Sequence, residues 1–309
     1  MATSFYFFSV TWATFFSFLF HLLALPRAHG TPLRHRRQAD FATLSTSEIS
    51  AFRPFSFYAS AAYCQPAQLS AWNCGKNCLA NPTFKPVATG GDGNDIQFWF
   101  VGIDPTLKTV VVGHQGTDPT KIMSVLTDID FIPEELDPTL FPGLPNGIKV
   151  HNGFADAHKE TATDVLAAVR TALTQSGLNT VTVVGHSLGG ALALLNGVYL
   201  PLNLPQVTFK TITYGMPRVG NKAFADYVNK NVPIDRVINQ EDIVPTLPGR
   251  FLGFRHSIGE KHIQDDLSWV ACSGGDNTDK RCSTGDVKNV LEGSVKEHSG
   301  PYDTVIMGC

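Results

Sequence analysis

The sequence predicts an α/β fold, a mainly parallel sheet with helices on both faces. Three observations lead there. Apolar, β-branched runs of strand length alternate with helical patterns, as in sheets whose strands are joined by crossover helices. One junction, Val181-Thr182-Val183-Val184-Gly185-His186-Ser187-Leu188-Gly189-Gly190, reads as a buried strand, a tight turn and a helix that continues through Ala191-Leu192-Ala193-Leu194-Leu195. No linker divides the chain after residue 38, and 309 residues that are 43% hydrophobic and 17% charged suit one large domain.

Taken in order, the chain opens on an apolar stretch from Phe5 to Leu25 in which His21 is the only titratable residue besides Tyr6. It lacks the usual positive start and is long enough to be an anchor. The small residues of Ala28-His29-Gly30 favour a cleaved signal peptide, residues 1–30. Arg34-His35-Arg36-Arg37 then reads as a processing site closing a short propeptide, residues 31–37, so that a secreted domain spans residues 38–309. Six cysteines in an oxidising compartment predict three disulfides, although fifteen pairings are open. Cys74 and Cys78 have no histidine or second close cysteine pair beside them, so no metal is expected. The net charge of −3, without a basic block in the body of the chain, predicts no nucleic-acid partner.

Apolar residues from Ser47 to Tyr63 recur on a helical period interrupted at Pro54. Asn81-Pro82 marks a turn. Gly90-Gly91-Asp92-Gly93-Asn94 lacks the Gly-Lys-Ser/Thr ending of a phosphate loop and reads as a hairpin connection. Strands are expected at Gln97 to Gly102, Thr109 to Gly113, Thr180 to Gly185, Val207 to Tyr214 and Asp235 to Asn239, with one helix from Asp156 to Thr174.

The turn at Ser187 has the pattern G-x-S-x-G. Between a strand and a helix it presents a serine hydroxyl at the carboxyl edge of the sheet, beside the positive end of the helix. Gly185 and Gly189 sit where a side chain would strike a neighbouring element. A serine hydroxyl is a poor nucleophile at neutral pH. It needs a base, and the base needs an acid to fix its tautomer. In this context both follow the serine in the chain, acid first. Asp242, at the end of the strand Asp235 to Asn239, is the favoured acid. Glu241 should point elsewhere and Asp235 lies at the wrong end, while Asp265, Asp266, Asp276 and Asp279 stay open. The base is one of His256, His262 and His298, with His298 in a turn-forming segment near the C-terminus. His186 should face away from the serine, and His114 and His151 precede it. Two N–H groups should stabilise the oxyanion of acyl transfer. One belongs to Leu188. The other is expected from the loop after the strand Thr109 to Gly113, at Thr117, with Gly116 allowing close approach.

These residues resemble a family. Gly185-His186-Ser187-Leu188-Gly189-Gly190, Val150-His151-Asn152-Gly153-Phe154, Tyr214-Gly215-Met216-Pro217-Arg218-Val219-Gly220-Asn221 and Asp242-Ile243-Val244-Pro245 are similar to the corresponding motifs of the filamentous-fungal, class 3 triacylglycerol lipases. The likeness runs from about Phe57 to Cys309. His114-Gln115 before Gly116-Thr117 departs from the commoner Arg and is most like mushroom-type secreted members. The resemblance implies an α/β-hydrolase fold, Ser187 as nucleophile, Asp242 as acid, His298 as base, and Thr117 and Leu188 as the oxyanion hole. It implies disulfides joining Cys64 to Cys309, Cys74 to Cys78 and Cys272 to Cys282, and no cofactor.

Asp118-Pro119 reads as a helix start, and Ile122, Met123, Val125, Leu126 and Ile129 make one apolar face beyond it. In the lipases such a helix is a lid. The expectation is therefore a monomeric secreted lipase that acts on lipid esters at a lipid–water interface. Feruloyl esterases share the family, so an esterase on short-chain or hydroxycinnamoyl esters is the alternative, and a non-enzymatic binding protein on the same fold is a second. A complete triad speaks against the last.

Overall fold

The computed structural model describes residues 41–118, 121–122, 131–289 and 291–309. The leader and the basic segment after it lie outside these residues. Ala39–Cys309 form one compact unit.

Among the described residues, thirteen strands form two sheets: β1 (Ala42–Thr43), β2 (Lys85–Gly90), β3 (Trp99–Asp104), β4 (Thr109–His114), β5 (Pro133–Glu135), β6 (Lys149–His151), β7 (Thr180–His186), β8 (Thr208–Tyr214), β9 (Gly220–Asn221), β10 (Ile234–Asn239), β11 (Phe254–Arg255), β12 (Glu260–Ile263) and β13 (Trp269–Ala271). The large sheet has the order β1-β13-β12-β10-β8-β7-β4-β3-β2. Its centre, β12-β10-β8-β7-β4, is parallel, and each edge is closed by antiparallel pairs. Strands β11-β9-β6-β5 make a small antiparallel sheet beside it.

Strands β4 and β7 have no solvent-facing side because alternate residues enter different cores. Val110, Val112, Val181 and Val183 pack with Val165, Val169, Leu195 and Val198 from the helices Ala162–Ser176 and Leu188–Asn203. Val111, Val184, Ile212 and Val237 face the other way, against Tyr58, Phe84, Phe100 and Trp269. Each buried side chain of this size contributes roughly 1.5–3 kcal/mol. The register pairs His114 with Gly185 and His186 with Tyr214, so the carboxyl ends of β4, β7 and β8 lie side by side. Ligand sites form at this edge in parallel sheets.

Some element boundaries differ from expectation. The helix expected over Asp156 to Thr174 is two helices, Asn152–Lys159 and Ala162–Ser176. Between them Thr161 bonds its hydroxyl back to the His158 carbonyl, a local competitor of the helix ladder. The Ser47-to-Tyr63 pattern likewise divides into Thr46–Ser50 and Arg53–Ala61. Pro54 sits in the first turn of the second helix, where its missing N–H costs nothing. Strand β2 is an addition to the expected set. It carries Pro86 on a sheet edge at a break in register, a position where proline is tolerated. The Gly90-to-Asn94 turn joins it to β3 as a hairpin.

The structure joins Cys64 to Cys309, Cys74 to Cys78 and Cys272 to Cys282. The first ties the C-terminal tail to the helical layer over the sheet.

Candidate active site

Ser187 follows β7 with φ 59° and ψ −129°, a positive-φ conformation that few non-glycine residues adopt. Two features impose it. Its N–H is bonded to the Tyr214 carbonyl of β8 at 2.9 Å. The next residue already begins the helix Leu188–Asn203. A β-carbon on Gly185 would strike the Gly189 carbonyl, so the strand and the helix meet backbone to backbone. Strain of this kind costs on the order of 1–3 kcal/mol and persists only where the surroundings enforce it.

Asp242 lies just past β10, its N–H bonded to the Asn239 carbonyl at 3.0 Å. One carboxylate oxygen accepts the Val244 N–H at 2.9 Å and the other accepts the His298 Nδ1–H at 2.8 Å. Both side chains are fully buried. With the proton on Nδ1, the His298 Nε2 is left as an acceptor, and it has no hydrogen-bond partner among the described residues. Gly215, which follows the Tyr214 carbonyl that holds Ser187, has φ +53° and leaves room for Asp242 Oδ2, His298 Cε1 and the Tyr302 hydroxyl. Serine, histidine and aspartate are thus gathered around the ends of β7, β8 and β10.

His186 turns away from Ser187 and holds His298 in place. Its Nε2–H donates to the His298 carbonyl at 2.7 Å. Its Nδ1 must then accept, and the Tyr63 hydroxyl donates to it at 2.6 Å. Tyr302 gives the same His298 carbonyl a second donor at 3.0 Å. Burial, with His298 close by, pushes the His186 imidazolium well below its ordinary range, so His186 stays neutral. The Tyr63 hydroxyl also lies against Gly116. A β-carbon on Gly116 would strike that hydroxyl, the His186 carbonyl and Ser187 Cβ. Half-buried Thr117 therefore stands beside the serine. On the other side Leu188, as the first residue of a helix, has an N–H without an intrahelical acceptor.

The other candidates lie elsewhere. His256 and His262 are buried, and both bond backbone carbonyls. Asp265 and Asp266 lie in the exposed turn before β13, and Asp279 pairs with Arg281. Asp276 pairs with Arg218 at 2.7 Å. Glu241 points to solvent. Of the residues expected in a lid, Ile122 is buried against Ile243, Val244 and Val287, in the segments after Asp242 and before His298. Met123, Val125, Leu126 and Ile129 lie outside the described residues. Among the described residues one group has metal-ligand spacing, Glu260 with Cys272 and Cys282. Both its sulfurs are in a disulfide and offer no thiolate.

Sequence reasoning missed Arg218. Its guanidinium is buried and bonds the Thr246 and Pro248 carbonyls in the turn after Asp242. A charged residue inside the otherwise apolar run Met216 to Val219 was the available signal.

With this geometry the chain can be compared with known proteins. A model of the class 3 lipase family matches residues 111–252. The secreted mono- and diacylglycerol lipase 1 of Fusarium solani is 30% identical over 257 residues, 75% of this chain and 74% of that protein. The chain belongs to the class 3 lipase family. A Rhizopus niveus lipase is 31% identical over 84% of this chain and 64% of its own length. The matches span 56–64% of the length of several curated relatives. A solved triacylglycerol lipase, described as having a serine-protease triad as its catalytic centre, superimposes with a TM-score of 0.75 at 30% identity, covering 85% of this chain and 97% of that one. The class 3 lipase sheet, with its parallel centre and helices on both faces, is an α/β-hydrolase fold.

Proposed function

We propose that this chain is a secreted carboxylic-ester hydrolase, a triacylglycerol lipase, whose catalytic residues are Ser187, Asp242 and His298. One observation carries the reading: a serine in a strained strand-to-helix turn shares a site with a buried Asp–His pair whose outer ring nitrogen is an open acceptor. Ser187 Oγ attacks the ester carbonyl while His298 Nε2 takes its proton. Asp242 holds the ring and stabilises the imidazolium. The Thr117 and Leu188 N–H groups receive the oxyanion. His298 then gives the proton to the departing alcohol, leaving an acyl-serine. Water, deprotonated by the same nitrogen, releases the acid. Every proton is handled by residues of this chain.

The substrate class comes from the relatives. The Fusarium solani protein is named a mono- and diacylglycerol lipase, and its name also records secretion. The apolar leader and the three disulfides support secretion here. We assign residues 1–30 to a signal peptide, 31–37 to a propeptide and 38–309 to a monomeric catalytic domain that meets its substrate at a lipid–water interface.

The test is hydrolysis of a panel of acyl esters by the secreted protein and by Ser187→Ala. The variant should lose about 10⁵- to 10⁶-fold in turnover while keeping its melting temperature. Wild-type rates in Ser187→Ala would remove the nucleophile assignment. Activity confined to short-chain or hydroxycinnamoyl esters, with none on emulsified long-chain glycerides, would replace the lipase reading with an esterase.

A further inference from the structure

The turn that follows Asp242 has four consecutive carbonyl oxygens, and each is held. His256 Nε2–H donates to Pro245 at 2.8 Å. Arg218 Nη1 donates to Thr246 and, at 3.0 Å, to Pro248. The Arg218 backbone N–H donates to Leu247 at 2.7 Å. The same turn presents the Val244 N–H to Asp242 Oδ1. The two holders are themselves fixed by one carboxylate. Asp276 Oδ1 accepts Arg218 Nε at 2.7 Å, and Asp276 Oδ2 accepts the His256 backbone N–H at 2.9 Å. Thr284 joins both Arg218 and Asp276 at 3.3 Å.

We propose that Arg218, braced by Asp276 and seconded by His256, is a positioning residue for Asp242. It acts through the backbone of residues 245–248 and never touches substrate. The inference rests on the triad reading above. A buried ion pair is by itself a weak source of stability, because desolvation offsets its attraction. Here its donors converge on one short turn, and that turn supplies the N–H that sets the rotation of the Asp242 carboxylate. Asp242 Oδ2 in turn sets the imidazole of His298. Arginine suits the task because its planar fork reaches two carbonyls and a carboxylate at once. The ammonium of lysine is one point on a flexible stem.

The mispositioning of a catalytic group by about 1 Å costs on the order of 10²-fold in rate. Arg218→Lys keeps the charge beside Asp276 and loses the fork, so it should fold. Its kcat on a soluble short-chain ester should fall about 10- to 100-fold while KM stays within about twofold. The rate at which a fluorophosphonate labels Ser187 should fall by the same factor, with the same final labelled fraction. Arg218→Met/Asp276→Leu removes fork and counter-charge together without leaving a lone buried ion. It should show at least the loss seen in Arg218→Lys. Either variant with a lowered melting temperature but wild-type kcat per labelled serine would reduce Arg218 to a structural residue. Wild-type protein that neither hydrolyses the ester nor takes the label would overturn the triad reading, and the clamp with it.

Discussion

Two buried histidines contact the segment at residues 242–248, and each lies beside a buried aspartate. His298 lies with Asp242 and His256 with Asp276. Both histidines follow Ser187 in the chain, as a base in this fold should. They differ in which atoms are occupied. Asp242 takes the ring Nδ1–H of His298 and leaves Nε2 open. Asp276 takes the backbone N–H of His256, and the His256 Nε2–H is committed to the Pro245 carbonyl. Burial and the charges of Arg236 and Arg218 push the His256 imidazolium well below its ordinary range, against the pull of Asp276. A neighbouring carboxylate does not make a histidine a base. The carboxylate must hold the ring N–H and leave the opposite nitrogen facing the nucleophile.

The sharpest way to break this comparison is to exchange the two fates. His298→Ala should lose about 10⁴- to 10⁶-fold in turnover, as triad members do. His256→Gln, which keeps a donor for the Pro245 carbonyl, should lose less than about tenfold. Steady-state rates per folded protein, checked by melting temperature, measure both. Comparable losses in the two variants would mean that the state of the ring nitrogens does not separate them.

The same comparison shows how far the sequence could be read. The sheet was legible because β-branched runs such as Val110-Val111-Val112 and Val181 to Val184 are buried on both faces, a local property of the strand. Ser187 was legible because an elbow is local too. Asp242 could be favoured from its place after a strand. His298, His256 and His262 could not be separated by position, because the choice depends on which carbonyls the folded chain brings to each ring. Arg218 was invisible as a brace for a similar reason: its partners lie 28 to 66 residues further on. The split at Thr161 was missed because a single hydroxyl-to-carbonyl bond interrupts an otherwise continuous helical pattern.

A second test concerns the His256–Asp276 pair. Burial opposes ionisation of Asp276, yet the Arg218 guanidinium and the His256 backbone N–H hold its carboxyl down to about 2. A carboxyl depressed in the folded state stabilises the fold above its unfolded value near 4, and that stability is lost as pH falls from about 4 towards 2. The contribution at neutral pH is on the order of 2 kcal/mol. Asp276→Asn should therefore melt well below wild type at pH 7, and the gap should narrow as the pH is lowered through this window. A gap that is constant with pH would show that the charge is not what stabilises the pair.

The smallest expected effect concerns the support that His298 has and His256 lacks. The His298 carbonyl receives two donors, His186 Nε2–H and the Tyr302 hydroxyl. Tyr63 fixes the His186 tautomer that makes the first possible. Burial pushes the phenols of Tyr63 and Tyr302 far above their ordinary range, so both remain neutral donors. Tyr63→Phe leaves His186 free to move its proton to Nδ1, and Tyr302→Phe removes the second donor outright. A single hydrogen bond of this kind is worth about 0.5–1.5 kcal/mol, which corresponds to a loss of roughly two- to tenfold in kcat for each variant. The two donors share one acceptor, so each alone still holds the carbonyl. The double variant leaves it unheld. Its loss should exceed the sum of the single losses by at least about 0.5 kcal/mol in a double-mutant cycle on kcat. Losses that add to within about 0.3 kcal/mol would mean that Tyr63 and Tyr302 act independently and not through one shared carbonyl.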